Sequence, residues 1–236
     1  MVLAAALATV ACGAGRTLVL VFLVATVALA GWQSGQWIAG DGHKDSAHSG
    51  YFLPGVAGGL VGAYATTQVH LRAIGEASFG IGIACWVLLA SVILDRLMFV
   101  HTLPPALVPT LAIELAPPAL AGSAYFALTG GSADPVAYAI GGFTVVMALA
   151  QLRLVPLYAR LPFSLGFWSF AFAYASAAAY ALTWIRVERP PGAAGYAVAV
   201  LTLITILVAA IMARSVIAAA RGQVPSAPGP PRRPLA

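Results

Sequence analysis

Apolar positions in this chain come in long unbroken runs, near 17–39, 51–71, 77–99, 106–129, 135–157, 163–185 and 194–216, with polar residues gathered between them. Each run has about 20 residues or slightly more, enough for a helix rising ~1.5 Å per residue to cross a hydrocarbon core roughly 30 Å thick. Stretches such as 81–94 do not alternate. An outer-membrane barrel would need alternating segments of roughly ten residues, so the pattern predicts an all-α integral membrane protein with about seven transmembrane helices. Residues 2–12 form a further apolar patch, too short to span. No positive charge precedes it and Arg16 follows it, which is the wrong order for a secretory signal peptide, so it reads as a helix fragment.

Composition agrees with that class: 61% of residues are hydrophobic, 8% are charged and the mean hydropathy is +0.93, far from the soluble average of roughly a quarter charged residues. Cys12 and Cys85 lie in separate apolar segments, away from any His cluster, and offer neither a disulfide framework nor a metal site. The net charge of +5 comes from residues scattered over loops and tail. Topology explains it, and no nucleic-acid partner is implied. Lys44, Arg96, Arg153, Arg160, Arg214, Arg221, Arg232 and Arg233 fall on one side of the seven-span map, against Arg16, Arg72, Arg186 and Arg189 on the other. The positive-inside rule then predicts an outside N-terminus and a cytoplasmic C-terminus, in a bacterial-type inner membrane. Residues 1–218 make up the membrane domain, and 219–236, rich in Pro, read as a disordered cytoplasmic tail.

Two segments carry the chemistry. The second begins YFLPGVAGGLVGAY, where Gly55/Gly59 and Gly58/Gly62 are spaced four apart and put small residues on one helical face. Such a face admits the backbone of a neighbouring helix, or less commonly a permeating ligand. The fourth reads LPPALVPTLAIELAPPALAGSAYFAL, with Glu114 three residues before Pro117-Pro118. Two interior prolines are expected to kink or break a helix. Freed carbonyls at membrane depth are tolerated when buried in protein or lining a cavity, and an acidic residue there faces a pathway rather than lipid. Either Glu114 is protonated during passage and couples it to a proton, or it bonds a carbonyl freed by Pro117 or Pro118.

The strings YFLPGVAGG, FGIGIACWVLLASVILDRL, LPPALVPTLAIELAPPALAGSAYFAL and PFSLGFWSFAF, in this order, resemble the tellurite-resistance/dicarboxylate transporter family, which includes TehA-like proteins and plant slow anion channels. The resemblance covers roughly residues 17–216. It implies a ten-helix, five-hairpin pore fold, homotrimers whose protomers each conduct, and odd-numbered family helices around the pore. The first full span here matches the family's fourth helix, so the first three helices are expected to be missing, with 2–12 a remnant of the third. Spans 51–71, 106–129 and 163–185 then line the pore, with Pro54, Gly58, Gly59, Glu114, Pro117 and Pro118 as pore-lining or coupling residues. A phenylalanine on the family's ninth helix plugs the pore, and the matching position is Phe172. Phe170 would point about 200° away on a helix of ~3.6 residues per turn. Where the family often has a proline, Ala173 stands here, which leaves Phe170 as the other candidate for the gate.

The loop DGHKDSAHSG holds His43, His48, Asp41 and Asp45, but at no recognised ligand spacing, so no metal is expected. There is no phosphate-binding glycine loop, no Gly-x-Ser-x-Gly elbow and no His-Glu-x-x-His helix. The expectation is therefore a transporter or channel without cofactor or catalytic chemistry. It would pass a small anion, whether a C4-dicarboxylate, a tellurite- or sulfite-type oxyanion or an inorganic anion. The alternative is a non-conducting membrane scaffold or accessory subunit derived from a truncated transporter.

Overall fold

The computed structural model describes residues 1–40, 47–99 and 103–222. Six helical segments among them are long and apolar enough to cross a membrane: Cys12–Ile38, Arg72–Phe99, Val108–Thr129, Pro135–Tyr158, Leu165–Glu188 and Ala193–Ala220. These match six of the seven expected runs. The tail expected from residue 219 starts within the helix Ala193–Ala220, and its residues 223–236 lie outside the described residues.

The remaining run departs from a single helix. It starts as a 3-10 turn at Ser49–Tyr51, passes through one π turn at Leu53–Ala57, and becomes α-helical only over Gly58–Gln68. Pro54 brings no N–H and is tolerated in the first turn of a helix. Gly55, Gly58 and Gly59 are weak helix formers, so local winding is decided by what packs against them. The helices in chain order are α1 (Val2–Leu7), α2 (Cys12–Ile38), α3 (Gly58–Gln68), α4 (Arg72–Phe99), α5 (Ala116–Thr129), α6 (Pro135–Tyr158), α7 (Trp168–Glu188) and α8 (Ala193–Ala220).

Consecutive helices pack as hairpins, α1 with α2, α3 with α4, α5 with α6 and α7 with α8, while α1, α3, α5 and α7 meet side by side as an inner row. Burial singles out the segment that contains α5. Of the most apolar window in segment 108–129, 67% is buried, against 6% in both α6 and α8. The outer helices therefore turn their apolar residues, such as Val145, Leu149, Leu203 and Ile206, outward. That is the expected face toward lipid tails, where apolar side chains lose nothing by exposure.

Short polar links close the hairpins. α5 ends at Gly130 (φ 70°), whose left-handed conformation suits glycine, and the Gly131 N–H reaches back to the Phe126 carbonyl at 2.8 Å. Asp134 then caps α6: its Oδ1 accepts from the Val136 and Ala137 N–H groups, both at 3.0 Å, and Pro135 opens the helix where a missing N–H costs nothing. The Tyr125 hydroxyl donates to the other Asp134 oxygen at 2.6 Å and ties the end of α5 to the start of α6. These hydrogen bonds hold the carboxyl of Asp134 below its usual range, the Tyr125 bond most of all.

Candidate functional site

Inside the inner row lies a cavity of about 380 Å³, lined by Leu60, Val61 and Tyr64 of α3, Leu120 and Ser123 of α5, and Phe172, Ala175, Ser176, Ala179 and Thr183 of α7, with Val2 at one edge. No lining side chain is an acid or a base other than the Tyr64 phenol. Three hydroxyls face it, but each donates back to its own helix: Ser123 to the Ala119 carbonyl (2.9 Å), Ser176 to Phe172 (2.8 Å) and Thr183 to Ala179 (3.0 Å). A hydroxyl so engaged offers lone pairs, not its proton, to whatever occupies the space.

Phe172 is the lining residue of α7 nearest that helix's start. Phe170 faces elsewhere. It is 7% exposed and its ring meets Tyr158 edge-on at 4.8 Å and 82°, with Phe167 at 5.3 Å and Tyr174 stacked at 6.1 Å. Two residues on one helix stand about 200° apart, so only one can face a given space.

The double proline behaves differently from the expected mid-helix kink. Residues Val108–Leu115 wind as a 3-10 helix, and α5 begins at Ala116, which puts Pro117 and Pro118 in its first turn. The prolines stand where α-helical N–H groups have no partner anyway, so they start a helix instead of breaking one. Both are fully buried, as is Pro109. The carbonyl of residue 114 would need an N–H from position 117 in a 3-10 ladder or from 118 in an α ladder, and proline supplies neither.

Glu114 sits on that 3-10 run, and Ser49, entirely buried, donates its hydroxyl to Oε1 at 2.6 Å. The partner is thus a side chain from the segment after α2, not a carbonyl freed by Pro117 or Pro118. Next to it, His48 Nδ1 accepts from the Gly50 N–H at 3.1 Å, and the imidazole lies 5.1 Å from the Tyr51 ring. Burial, and then the charge of nearby Arg96, hold the His48 imidazole below its usual pKa. The neutral ring is the form that can accept through Nδ1. His43, Asp41 and Asp45 of the same loop lie outside the described residues.

Gly58 and Gly59 are not on the cavity. A Cβ on Gly58 would fall 2.1 Å from Thr26 Cγ2 of α2, and one on Gly59 2.6 Å from the Gly82 backbone nitrogen of α4. Both glycines therefore serve close helix packing, Gly58 against the Thr26 side chain and Gly59 against the Gly82 backbone, where only a hydrogen fits. Pro54, half-buried in the π turn, is also absent from the cavity wall.

One connection was not anticipated from the sequence. Gln151 of α6, 2% exposed, donates through Nε2 to the Leu111 carbonyl at 3.0 Å, and Tyr158 donates to its Oε1 at 2.8 Å. A lone amide inside an apolar span was the available signal, since such groups find partners across helices. A larger groove of about 630 Å³ separates α6 from α7. Residues exposed on the outer surface, such as Tyr138 and Val145, form part of its wall, which puts it outside the inner row.

A family model described as voltage-dependent anion channel matches residues 1–216. The chain therefore belongs to that family, a family of helical membrane proteins, and is a multi-pass membrane protein. It is also 30% identical over 142 residues to the tellurite resistance protein TehA homolog of Haemophilus influenzae. The aligned part makes up 60% of this chain and 43% of that relative, so the chain spans less than half the length of the curated relative it matches.

Proposed function

We propose that the inner row α1–α3–α5–α7 bounds a path by which small anions cross the membrane, and that Phe172 closes it. The observation that carries this reading is that Phe172 lines a cavity between α3, α5 and α7, in a chain of an anion-channel family. An aromatic ring at an apolar constriction resists wetting, so it blocks ions without binding them. Family membership supports an anion as the permeant species, and the name of the Haemophilus relative brings tellurite-type oxyanions among the candidates, beside C4-dicarboxylates and inorganic anions. A homotrimer in a bacterial inner membrane, with the basic end of the bundle cytoplasmic, completes the proposal. No catalytic step is required of any residue.

The test is anion efflux from liposomes carrying the purified chain, with nitrate, succinate and tellurite compared under the same gradient. Efflux of at least one anion above that from protein-free liposomes supports the reading. Efflux equal to the protein-free level for all three, from a chain that elutes as a folded species, favours the scaffold alternative.

A further inference from the structure

The 3-10 run Val108–Leu115 has eight residues, about twice the usual limit for that geometry, in which side chains eclipse and hydrogen bonds are poor. Its own ladder is thinned at both ends, by Pro109 at the start and by Pro117 and Pro118 beyond the end. Winding the same residues as an α-helix would shorten the run by about 4 Å and rotate its start by roughly 160° relative to α5. Something outside the run must therefore hold it stretched.

We infer that Gln151, oriented by Tyr158, is a positioning residue that clamps the run in its 3-10 form from α6 and so keeps Glu114 on Ser49. The bond from Gln151 Nε2 to the Leu111 carbonyl reaches from the outer row into the middle of the run. The Tyr158 hydroxyl fixes which way the amide points, by donating to Oε1. The contact from Ser49 to Glu114 is the second hold. An apolar residue at 151 would suit the largely apolar α6 equally well. The amide is useful only for what it grips. Tyr158 also meets Phe170 edge-on, so the clamp is continuous with the start of α7, the helix that carries Phe172. The consequence for passage rests on the transport reading above, whereas the clamp itself does not.

The experiment uses the full chain in lipid nanodiscs, as the wild type and as Gln151→Met, which keeps the volume and removes both bonds, and Tyr158→Phe. Hydrogen exchange is followed over 108–116 and, for comparison, over α8. Loss of one buried hydrogen bond is worth about a factor of ten in local opening, so exchange over 108–116 is expected to rise about tenfold in Gln151→Met. Tyr158→Phe should give a smaller rise, and α8 should stay unchanged. In liposomes, the pH profile of nitrate flux in Gln151→Met should move along the pH axis, because Glu114 is no longer held on Ser49. Unchanged protection over 108–116 overturns the clamp, and so does an equal rise in α8, which would indicate general loosening. If the wild-type chain passes no anion, the transport reading fails while the exchange data still decide the clamp.

Discussion

The hydroxyl of Ser49 lies 2.6 Å from Oε1 of Glu114 and donates to it, joining two broken segments that are 65 residues apart in the chain. One partner belongs to the 3-10 turn that precedes α3, the other to the 3-10 run that precedes α5. Neither segment is α-helical at the contact. The inner helices that bound the cavity are thus linked where their backbones are least regular, and the link is made by the acidic group expected to matter most for passage.

Glu114 is not among the residues that line the cavity. On the coupling hypothesis it borders the path beyond that space, where a fixed negative charge would repel the permeant ion and Glu114 would help passage only when neutralised. Glu114→Gln is therefore expected to keep the hydrogen bond to Ser49 and to flatten the pH dependence of flux in liposomes. Ser49→Ala, which leaves the carboxyl without that partner, should shift the profile instead of flattening it. Identical flux and identical pH dependence in wild type and Glu114→Gln would end the coupling hypothesis.

Gly59, packed against α4, gives a stability test with an internal control in Gly80. Gly59→Ala puts a methyl 2.6 Å from the Gly82 backbone nitrogen, where no side chain can give way. Overpacking of this kind costs about 1–3 kcal/mol. Gly80→Ala in α4 meets nothing within 4 Å and replaces the weaker helix former, which should stabilise by up to ~1 kcal/mol. Thermal melting in detergent should therefore fall for the first variant and hold or rise for the second. Equal melting temperatures would remove the packing role of Gly59.

Much of this architecture is legible in the sequence because lipid allows few solutions. Runs of about 20 apolar residues must be helices, and short links between them must make neighbours antiparallel. The residues were harder to place. Pro117 and Pro118 read as a kink because sequence alone does not say where the α-helix begins; the 3-10 run before Ala116 turns the same residues into a helix start. The spacing of the glycines around Gly58 and Gly59 favours packing over lining without excluding the latter, and the approach of Thr26 and Gly82 accounts for both by packing. Ser49 carried no signal, since its bond to Glu114 depends on a fold-level meeting of distant segments. The offset between Phe170 and Phe172, by contrast, follows from helix geometry alone.

His48 gives a pH dependence of its own. The folded state holds its pKa below the unfolded value of 6.5, through burial first and Arg96 second. A base with a depressed folded pKa takes up protons preferentially when unfolded, so stability falls as pH drops below about 6.5 and levels off beneath the folded pKa. Protonation also removes the acceptor for the Gly50 N–H. The charged group acting on the ring is Arg96, whose repulsion grows once the ring is protonated. Melting followed from pH 7.5 to 5 should show a loss that His48→Asn, with an acceptor oxygen that does not titrate, largely removes. The same loss in both proteins would place the titrating group elsewhere.

The sharpest contrast is between Phe172 and Phe170, because the same substitution two residues apart should fail in opposite ways. Phe172 borders the cavity, and on the proposed reading removing its ring widens an apolar constriction that resists wetting. Phe172→Ala is therefore expected to raise anion conductance severalfold while leaving the melting temperature nearly unchanged. Phe170 is buried among Tyr158, Phe167 and Tyr174, where truncation to alanine leaves a void worth about 3–5 kcal/mol. Phe170→Ala should lower the melting temperature and the yield of folded protein, and the fraction that folds should conduct like wild type. Bilayer recordings and melting curves on the same preparations separate the two effects. A leak in Phe170→Ala with none in Phe172→Ala would mean that the path runs along the other face of α7, past Tyr158 and not through the cavity beside Ser123 and Ser176.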